Sequence, residues 1–281
     1  MNKKIIFLDI DGTLLDEQDE IPESAKLACI MARRNGHSIY LCTGRSKAEI
    51  YDFIMDVGFD GIISAGGGYV EIGDKMLYHK KVSDKSVQHM ISYFNEHNID
   101  FYLESNGGLF ASKNLLPHVE LCIYGDLDND PIAKERKLKH PQPFVSALTL
   151  GEENLYHGDI NKACFLENKE VLFEEIKKEF EGEFHIIQCT MPIFGQDSGE
   201  LMVPGIHKAT AIEILISHLG ISQKNTIGIG DGMNDSEMLE YCELGIAMGN
   251  AHEGLKLIAD EITDSVDNDG IYNSFKKHSL I

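Results

Sequence analysis

Residues 5–10 read Ile-Ile-Phe-Leu-Asp-Ile, an apolar run closing on a carboxylate. A run of that length with no polar alternation is a strand covered on both faces, the pattern of a parallel sheet. The carboxylate at its end is then the informative residue. Asp9-Ile10-Asp11-Gly12-Thr13 places two acids one residue apart, and such a pair beside a buried strand is costly unless a cation compensates it. In an open α/β sheet the carboxyl ends of the strands are also where ligands bind. Once the chain leaves the strand, alternation no longer forces the two side chains apart. One can face a metal and an incoming phosphorus atom while the other addresses a leaving group, and Gly12 permits the tight turn. The rival reading is an acidic surface turn, since Asp-Gly is common in loops.

The elements that follow sustain an α/β alternation. Pro22–Arg34 reads as a helix closed by Gly36, Ser38–Cys42 as a strand, Ser46–Val57 as a helix stopped by Gly58, and Gly61–Ser64 as a strand. Tyr69–Ile72 and Met76–Tyr78 form a hairpin across Gly73-Asp74. From about Val82 to Gln188 the pattern is mixed: a helix over Asp84–His97, strands at Asp100–Leu103 and Leu109–Ser112, an irregular stretch over 126–143, a strand at Ile160–Leu166, a helix over Lys169–Phe180 and a strand at Phe184–Ile187. The alternation resumes with an amphipathic helix at His207–Leu219 and the strand Thr226–Gly230. The expected fold is therefore α/β, a Rossmann-like parallel sheet split in sequence by an inserted α+β domain. The expected boundaries are 1–82 and 189–281 for the core and 83–188 for the insert.

Three further segments fall at strand ends or helix starts of that pattern. Cys42-Thr43-Gly44-Arg45 follows the second strand, where a hydroxyl and free backbone N–H groups make a phosphate seat; Thr43 as an N-cap of the next helix is the competing and, alone, stronger reading. Gly230-Asp231-Gly232-Met233-Asn234-Asp235 follows the strand Thr226–Gly230. Its Gly228-x-Gly230-x-Gly232 spacing departs from a dinucleotide fingerprint, and Asp231 stands where pyrophosphate would approach. Lys208 opens the amphipathic helix. A lone lysine is usually a solvated charge, but here it can neutralise carboxylate and phosphoryl oxygens. Asp9, Asp11 and Asp231 together offer hard oxygen donors suited to Mg²⁺.

Charge and cysteine usage narrow the class. The formal net charge is −21 over 281 residues, a surface that repels nucleic acid and tolerates a phosphorylated ligand only where a local cation reverses the field. Cysteines at 29, 42, 122, 164, 189 and 242 form no CxxC pair, which argues against zinc and disulfide frameworks and for reduced thiols. Lys3-Lys4 before an apolar run of four residues is too short a start for a signal peptide, and no apolar stretch reaches spanning length. The expectation is a cytoplasmic protein with no membrane or nucleic-acid partner; the oligomeric state is not readable.

At these residues the chain resembles the haloacid dehalogenase superfamily, and most closely the Cof-type branch of its subclass IIB. The resemblance covers essentially the whole chain: Asp9-Ile-Asp11-Gly-Thr13 matches the first family motif, Thr43-Gly44-Arg45 the second, Lys208 the third and Gly230-Asp231-Gly-Met-Asn234-Asp235 the fourth. Pro22-Glu23-Ser24 is also similar. Two departures are Ser64-Ala65-Gly66-Gly67-Gly68, where relatives often carry Asn-Gly-Ala, and Lys208-Ala209 in place of a frequent Lys-Gly.

The resemblance implies a magnesium-dependent phosphatase acting on a small phosphorylated metabolite, such as a sugar phosphate or phosphorylated cofactor. Asp9 would be the nucleophile that becomes an aspartyl-phosphate. Asp11 would act as acid and then base, its backbone carbonyl also binding Mg²⁺. Asp231 would be a metal ligand, with Asp235 in the shell behind it. Thr43, Gly44, Lys208 and Asn234 would hold the phosphoryl group. The insert would be a cap of the C2B type closing over the site and selecting the leaving group. Its candidate polar residues, His79, Glu104, Asn106, Lys113 and His185, read more readily as solvated side chains than as substrate contacts. Rival functions are a phosphomutase of the same superfamily and a phospho-accepting regulatory protein.

Overall fold

A computed structural model describes residues 3–151, 154–156, 158–189 and 191–281. In chain order it contains β1 (Ile5–Leu8), α1 (Glu23–Arg34), β2 (Ser38–Cys42), α2 (Asp52–Met55), β3 (Gly61–Ser64), β4 (Tyr69–Ile72) and β5 (Lys75–His79). Then come α3 (Asp84–Glu96), β6 (Phe101–Ser105), β7 (Leu109–Ala111), α4 (Leu115–Tyr124), α5 (Pro131–Lys139), α6 (Pro143–Ala147), β8 (Leu148–Leu150), β9 (Ile160–Phe165), α7 (Phe173–Glu179), β10 (His185–Gln188) and β11 (Gly199–Met202). The last segment carries α8 (Lys208–Leu219), β12 (Thr226–Gly230), α9 (Ser236–Tyr241), β13 (Leu244–Ala247), α10 (Glu253–Ile258), β14 (Glu261–Ile262) and α11 (Gly270–Lys277).

The chain divides into two compact units. The first comprises Met1–Arg45, Ile50–His79 and Ile206–Ile281. Its sheet runs in the order β14-β13-β12-β1-β2-β3-β4-β5, parallel except where β4 and β5 fold back. All four residues of β1 are fully buried, as a central parallel strand requires, each side chain contributing roughly 1.5–3 kcal/mol by leaving water. The register pairs Leu8 with both Leu41 of β2 and Ile229 of β12. Asp9, Cys42 and Gly230 therefore stand side by side at the carboxyl edge of the sheet.

The second unit comprises Ser46–Glu49 and Lys80–Gly205. Its sheet has the order β10-β11-β9-β6-β7-β8, antiparallel apart from the β7–β8 pair. One core gathers the rings of Phe94, Phe101, Phe165 and Phe180, with centroids 5.1–5.8 Å from Phe94. Another joins Tyr102, Leu115, Val119, Cys164 and Phe194.

Four features differ from the sequence reading. Residues 46–57 form no single helix: a 3₁₀ turn at Lys47–Glu49 is followed by the one-turn α2. The stretch 126–143 is not irregular throughout, because Asp130 caps α5 by accepting the Ile132 N–H at 2.8 Å and Pro131 opens it. The boundaries differ too: 46–49 and 80–82 belong to the second unit and not to the core, and that unit continues past 188 to Gly205, because β11 is paired on one side with β10 and on the other with β9. Glu104 is not a solvated side chain. It is 1% exposed, and Lys162, its cross-strand partner, lies 3.2 Å from its carboxylate and 2.9 Å from Glu200. Lys113 and His185 are exposed, Asn106 and His79 half-buried, and His79 belongs to the first unit. The six cysteines are free thiols. Among the described residues no helix is long and apolar enough to cross a membrane.

Candidate active site

The site lies at the carboxyl edge of the first unit's sheet and is assembled from loops after β1, β2 and β12 and from the start of α8. Asp9 takes the first position beyond β1, its N–H still held by the Ile229 carbonyl at 3.0 Å. The chain then turns tightly, with the N–H groups of Leu14 and Leu15 both reaching back to the Ile10 carbonyl. Gly12 makes that turn possible in two ways. Its φ is +71°, and a Cβ built on it would lie 2.2 Å from Asp231 Oδ2. Any side chain there would displace an acidic group of the site.

Lys208 organises the buried centre. It is 1% exposed at the first position of α8, and its Nζ lies 2.6 Å from Asp9 Oδ1 and also donates to Asp235 Oδ1. Asp235, fully buried, accepts the N–H groups of Asp231 and Gly232 on its other oxygen at 3.1 Å. Both of its oxygens are thus engaged in holding the lysine and the turn after β12. Asp231 accepts from the Thr13 hydroxyl at 3.3 Å, which ties the loops after β12 and β1 together.

Burial, reinforced by the crowding of the carboxylates, raises their proton affinities. Burial, then the charge of Asp235, pushes the Asp9 pKa up from 3.8 to about 7 against the opposing pull of Lys208. Burial and the charge of Asp9 raise Asp231 to about 6, and Asp235 is raised by its burial. Lys208 moves upward as well, because the neighbouring carboxylates outweigh its desolvation. The lysine is therefore fully charged at neutral pH, yet one ammonium does not balance three acids. One carboxylate oxygen from each of Asp9, Asp231 and Asp235 lies within 4.8 Å of the other two. A compact, under-neutralised set of hard oxygen donors fits a small divalent cation such as Mg²⁺.

The other candidates sit around this centre. Thr43 is fully buried, and its hydroxyl accepts the Arg45 N–H at 3.1 Å. It does not cap a helix, since the next one, α2, starts at Asp52. Gly44 faces Asn234, whose Nδ2 would lie 3.7 Å from a Cβ at 44; Asn234 itself is exposed. Asp11 stands apart from the buried acids. Its carboxylate is largely exposed and is gripped by the Arg45 guanidinium. Two contributors escaped the sequence reading. Arg45 is one in its role as the partner of Asp11, although the residue itself stands inside the segment singled out. Asn250 is the other: it donates to the Gly12 carbonyl at 2.7 Å and accepts the Val266 N–H at 2.9 Å. Its signal was Gly249-Asn250 in the turn that follows β13.

Comparison with known proteins agrees with this architecture. The family model of haloacid dehalogenase-like hydrolases matches residues 6–275. Phosphatase YwpJ of Bacillus subtilis is 27% identical, covering 97% of this chain and 99% of its own length. The 5-amino-6-(5-phospho-D-ribitylamino)uracil phosphatase YcsE of the same organism is 25% identical over 97% of this chain and 94% of its own. Among solved structures, the subclass IIB sugar phosphatase BT4131 superposes with a TM-score of 0.74 and 25% identity, covering 99% of this chain and 100% of that one. With the motif residues gathered at one sheet edge and the match running through nearly every element, the chain belongs to the haloacid dehalogenase-like hydrolases, as an enzyme of their Cof-type phosphatase branch.

Proposed function

We propose that the protein is a magnesium-dependent phosphatase that hydrolyses small phosphorylated metabolites through an aspartyl-phosphate on Asp9. The observation that carries this reading is the buried Asp9 carboxylate held by Lys208 beside Asp231 and Asp235. The metal would be held by the side chains of Asp9 and Asp231 and the backbone carbonyl of Asp11, with Asp235 behind them. When bound, Mg²⁺ supplies positive charge against the phosphoryl oxygens in the transition state.

The chain's own groups account for the remaining steps. Asp9, fixed by the Lys208 ammonium, attacks phosphorus, so that a carboxylate–phosphorus bond forms as the ester P–O bond breaks. Asp11 gives its proton to the departing alcohol and then takes one from the water that cleaves the acyl phosphate; such assistance is typically worth about 10²–10⁴-fold. Lys208, Thr43, the backbone at Gly44 and Asn234 hold the phosphoryl oxygens. The second unit serves as the cap that selects the leaving group. YcsE is named for a phosphorylated ribitylaminouracil and BT4131 for sugar phosphates, and the substrates proposed here are sugar phosphates or phosphorylated cofactors. Hydrolysis of p-nitrophenyl phosphate with and without Mg²⁺, beside Asp9→Asn, tests the chemistry. Activity is expected to need the metal and to vanish in the variant; undiminished turnover by Asp9→Asn rejects the nucleophile. Release of inorganic phosphate from a panel of phosphorylated metabolites identifies the substrate, whereas an isomeric sugar phosphate as product would mark a mutase.

A further inference from the structure

We propose that Arg45 is the positioning residue for the acid–base carboxylate Asp11, an inference that rests on the role given to Asp11 above. Asp11 needs such a device. Its side chain is 58% exposed, and a carboxylate that open to water rotates freely unless something fixes its plane. Arg45 provides a two-point grip, its Nε donating to Asp11 Oδ2 at 3.0 Å and its Nη2 to Asp11 Oδ1. A guanidinium fork holding both oxygens fixes the orientation of the carboxylate as well as its position, and one of the two N–H hydrogen bonds gives way when that oxygen carries the proton for the leaving group.

Arg45 is itself well anchored. Its N–H donates to the Thr43 hydroxyl at 3.1 Å, and its carbonyl accepts the Ala65 N–H at 2.7 Å. The guanidinium carbon lies 5.9 Å from the Tyr51 ring centroid, and Asp19 stands 3.9 Å from Nη2. The side chain is only 18% exposed. The loop that seats phosphate and the loop that supplies the acid are thereby joined through one residue. A partly exposed pair of this kind adds little to stability, so a purely structural role would leave almost no trace. A role in orienting an acid has a distinct signature: it matters only when the leaving group needs a proton.

The test is kcat/KM on two aryl esters, because this ratio reports the step in which the ester bond breaks. Phenyl phosphate releases a phenol whose pKa of about 10 is that of a tyrosine, and its departure calls for an acid. 2,4-Dinitrophenyl phosphate releases a far more acidic phenol that departs unaided. Arg45→Gln is expected to lower kcat/KM for phenyl phosphate by up to about 10²-fold, the size of effect a small misplacement of a catalytic group produces. It should leave the dinitrophenyl ester near the parent value and the melting temperature little changed. Arg45→Lys, which keeps the charge and loses the fork, should fall between. Added to Asp11→Asn, Arg45→Gln should cause no further loss, since the two act as one unit. Equal losses on both esters, no loss on either, or full additivity with Asp11→Asn would overturn the proposal. Asp11→Asn alone separates it from the reading beneath. If that variant shows no dependence on the leaving group, Asp11 is not the acid and both fall; if it does and Arg45→Gln does not, only the positioning role falls.

Discussion

Replacing Lys208 with methionine removes the central cation of the site while keeping most of the side-chain volume. Lys208 is 1% exposed, Asp9 4% and Asp235 0%, so the two carboxylates left behind have little access to water. Removing one partner from a buried ion pair costs about 3–5 kcal/mol, which for a unit of this size lowers the melting temperature by roughly 6–20 °C. The geometry also dictates how that loss varies with pH. The folded pKa of Asp9, about 7, lies above its ordinary 3.8. Its protonated form therefore favours the fold, a contribution complete below pH 3.8 and lost as pH rises through about 7. The pKa of Lys208 is raised, so the ammonium persists across this window. Without it, Asp9 and Asp235 hold their protons to still higher pH. The cost of Lys208→Met should thus be small at about pH 5 and full at about pH 8. Urea unfolding followed by circular dichroism at the two pH values measures it, in metal-free buffer. Adding Asp235→Asn removes one stranded charge and should recover part of the stability at the higher pH. A cost equal at both pH values, with no recovery in the double variant, would refute the reasoning.

Two other outcomes follow from the same loops. Gly12→Ala must adopt φ +71° with a Cβ 2.2 Å from Asp231 Oδ2; backbone strain of about 1–2 kcal/mol and a displaced Asp231 are expected to weaken Mg²⁺ binding, as titration calorimetry would show, and unaltered affinity would mean that the loop relaxes elsewhere. Mg²⁺ should raise the melting temperature more at about pH 8 than at about pH 5, because Asp9 and Asp231, with pKa values about 7 and about 6, carry competing protons at the lower pH.

What the sequence disclosed depended on whether a signal was local. The buried run at β1, the strand ends carrying Asp9, Thr43 and Asp231, and the helix opening on Lys208 were all readable from short segments, because hydrophobic periodicity and turn chemistry are set within a few residues. Glu104 was misjudged because its partner, Lys162, is delivered by β9, far along the chain. The end of the second unit was misplaced because β11, Gly199–Met202, is a four-residue strand whose place is set by its two neighbours. Arg45 was visible as a residue but not as the partner of Asp11, since nothing in a linear motif says which loop a guanidinium will reach. The helix α5 was legible and missed: Asp130-Pro131 is a cap followed by proline at the first helical position.

The central strand has a consequence for how the molecule comes into being. Its two neighbours are Ser38–Cys42, made soon after it, and Thr226–Gly230, made near the end. Thr13 and Asp231, which meet in the finished site, are 218 residues apart. At a ribosomal rate of about 5–20 residues per second, that separation is a wait of roughly 10–45 s. Throughout that interval one edge of a wholly apolar strand lacks its partner, a surface that holding chaperones would shield. Asp231, which Thr13 holds in the finished site, follows β12 directly, so any fragment ending before that strand lacks one of the acids gathered there.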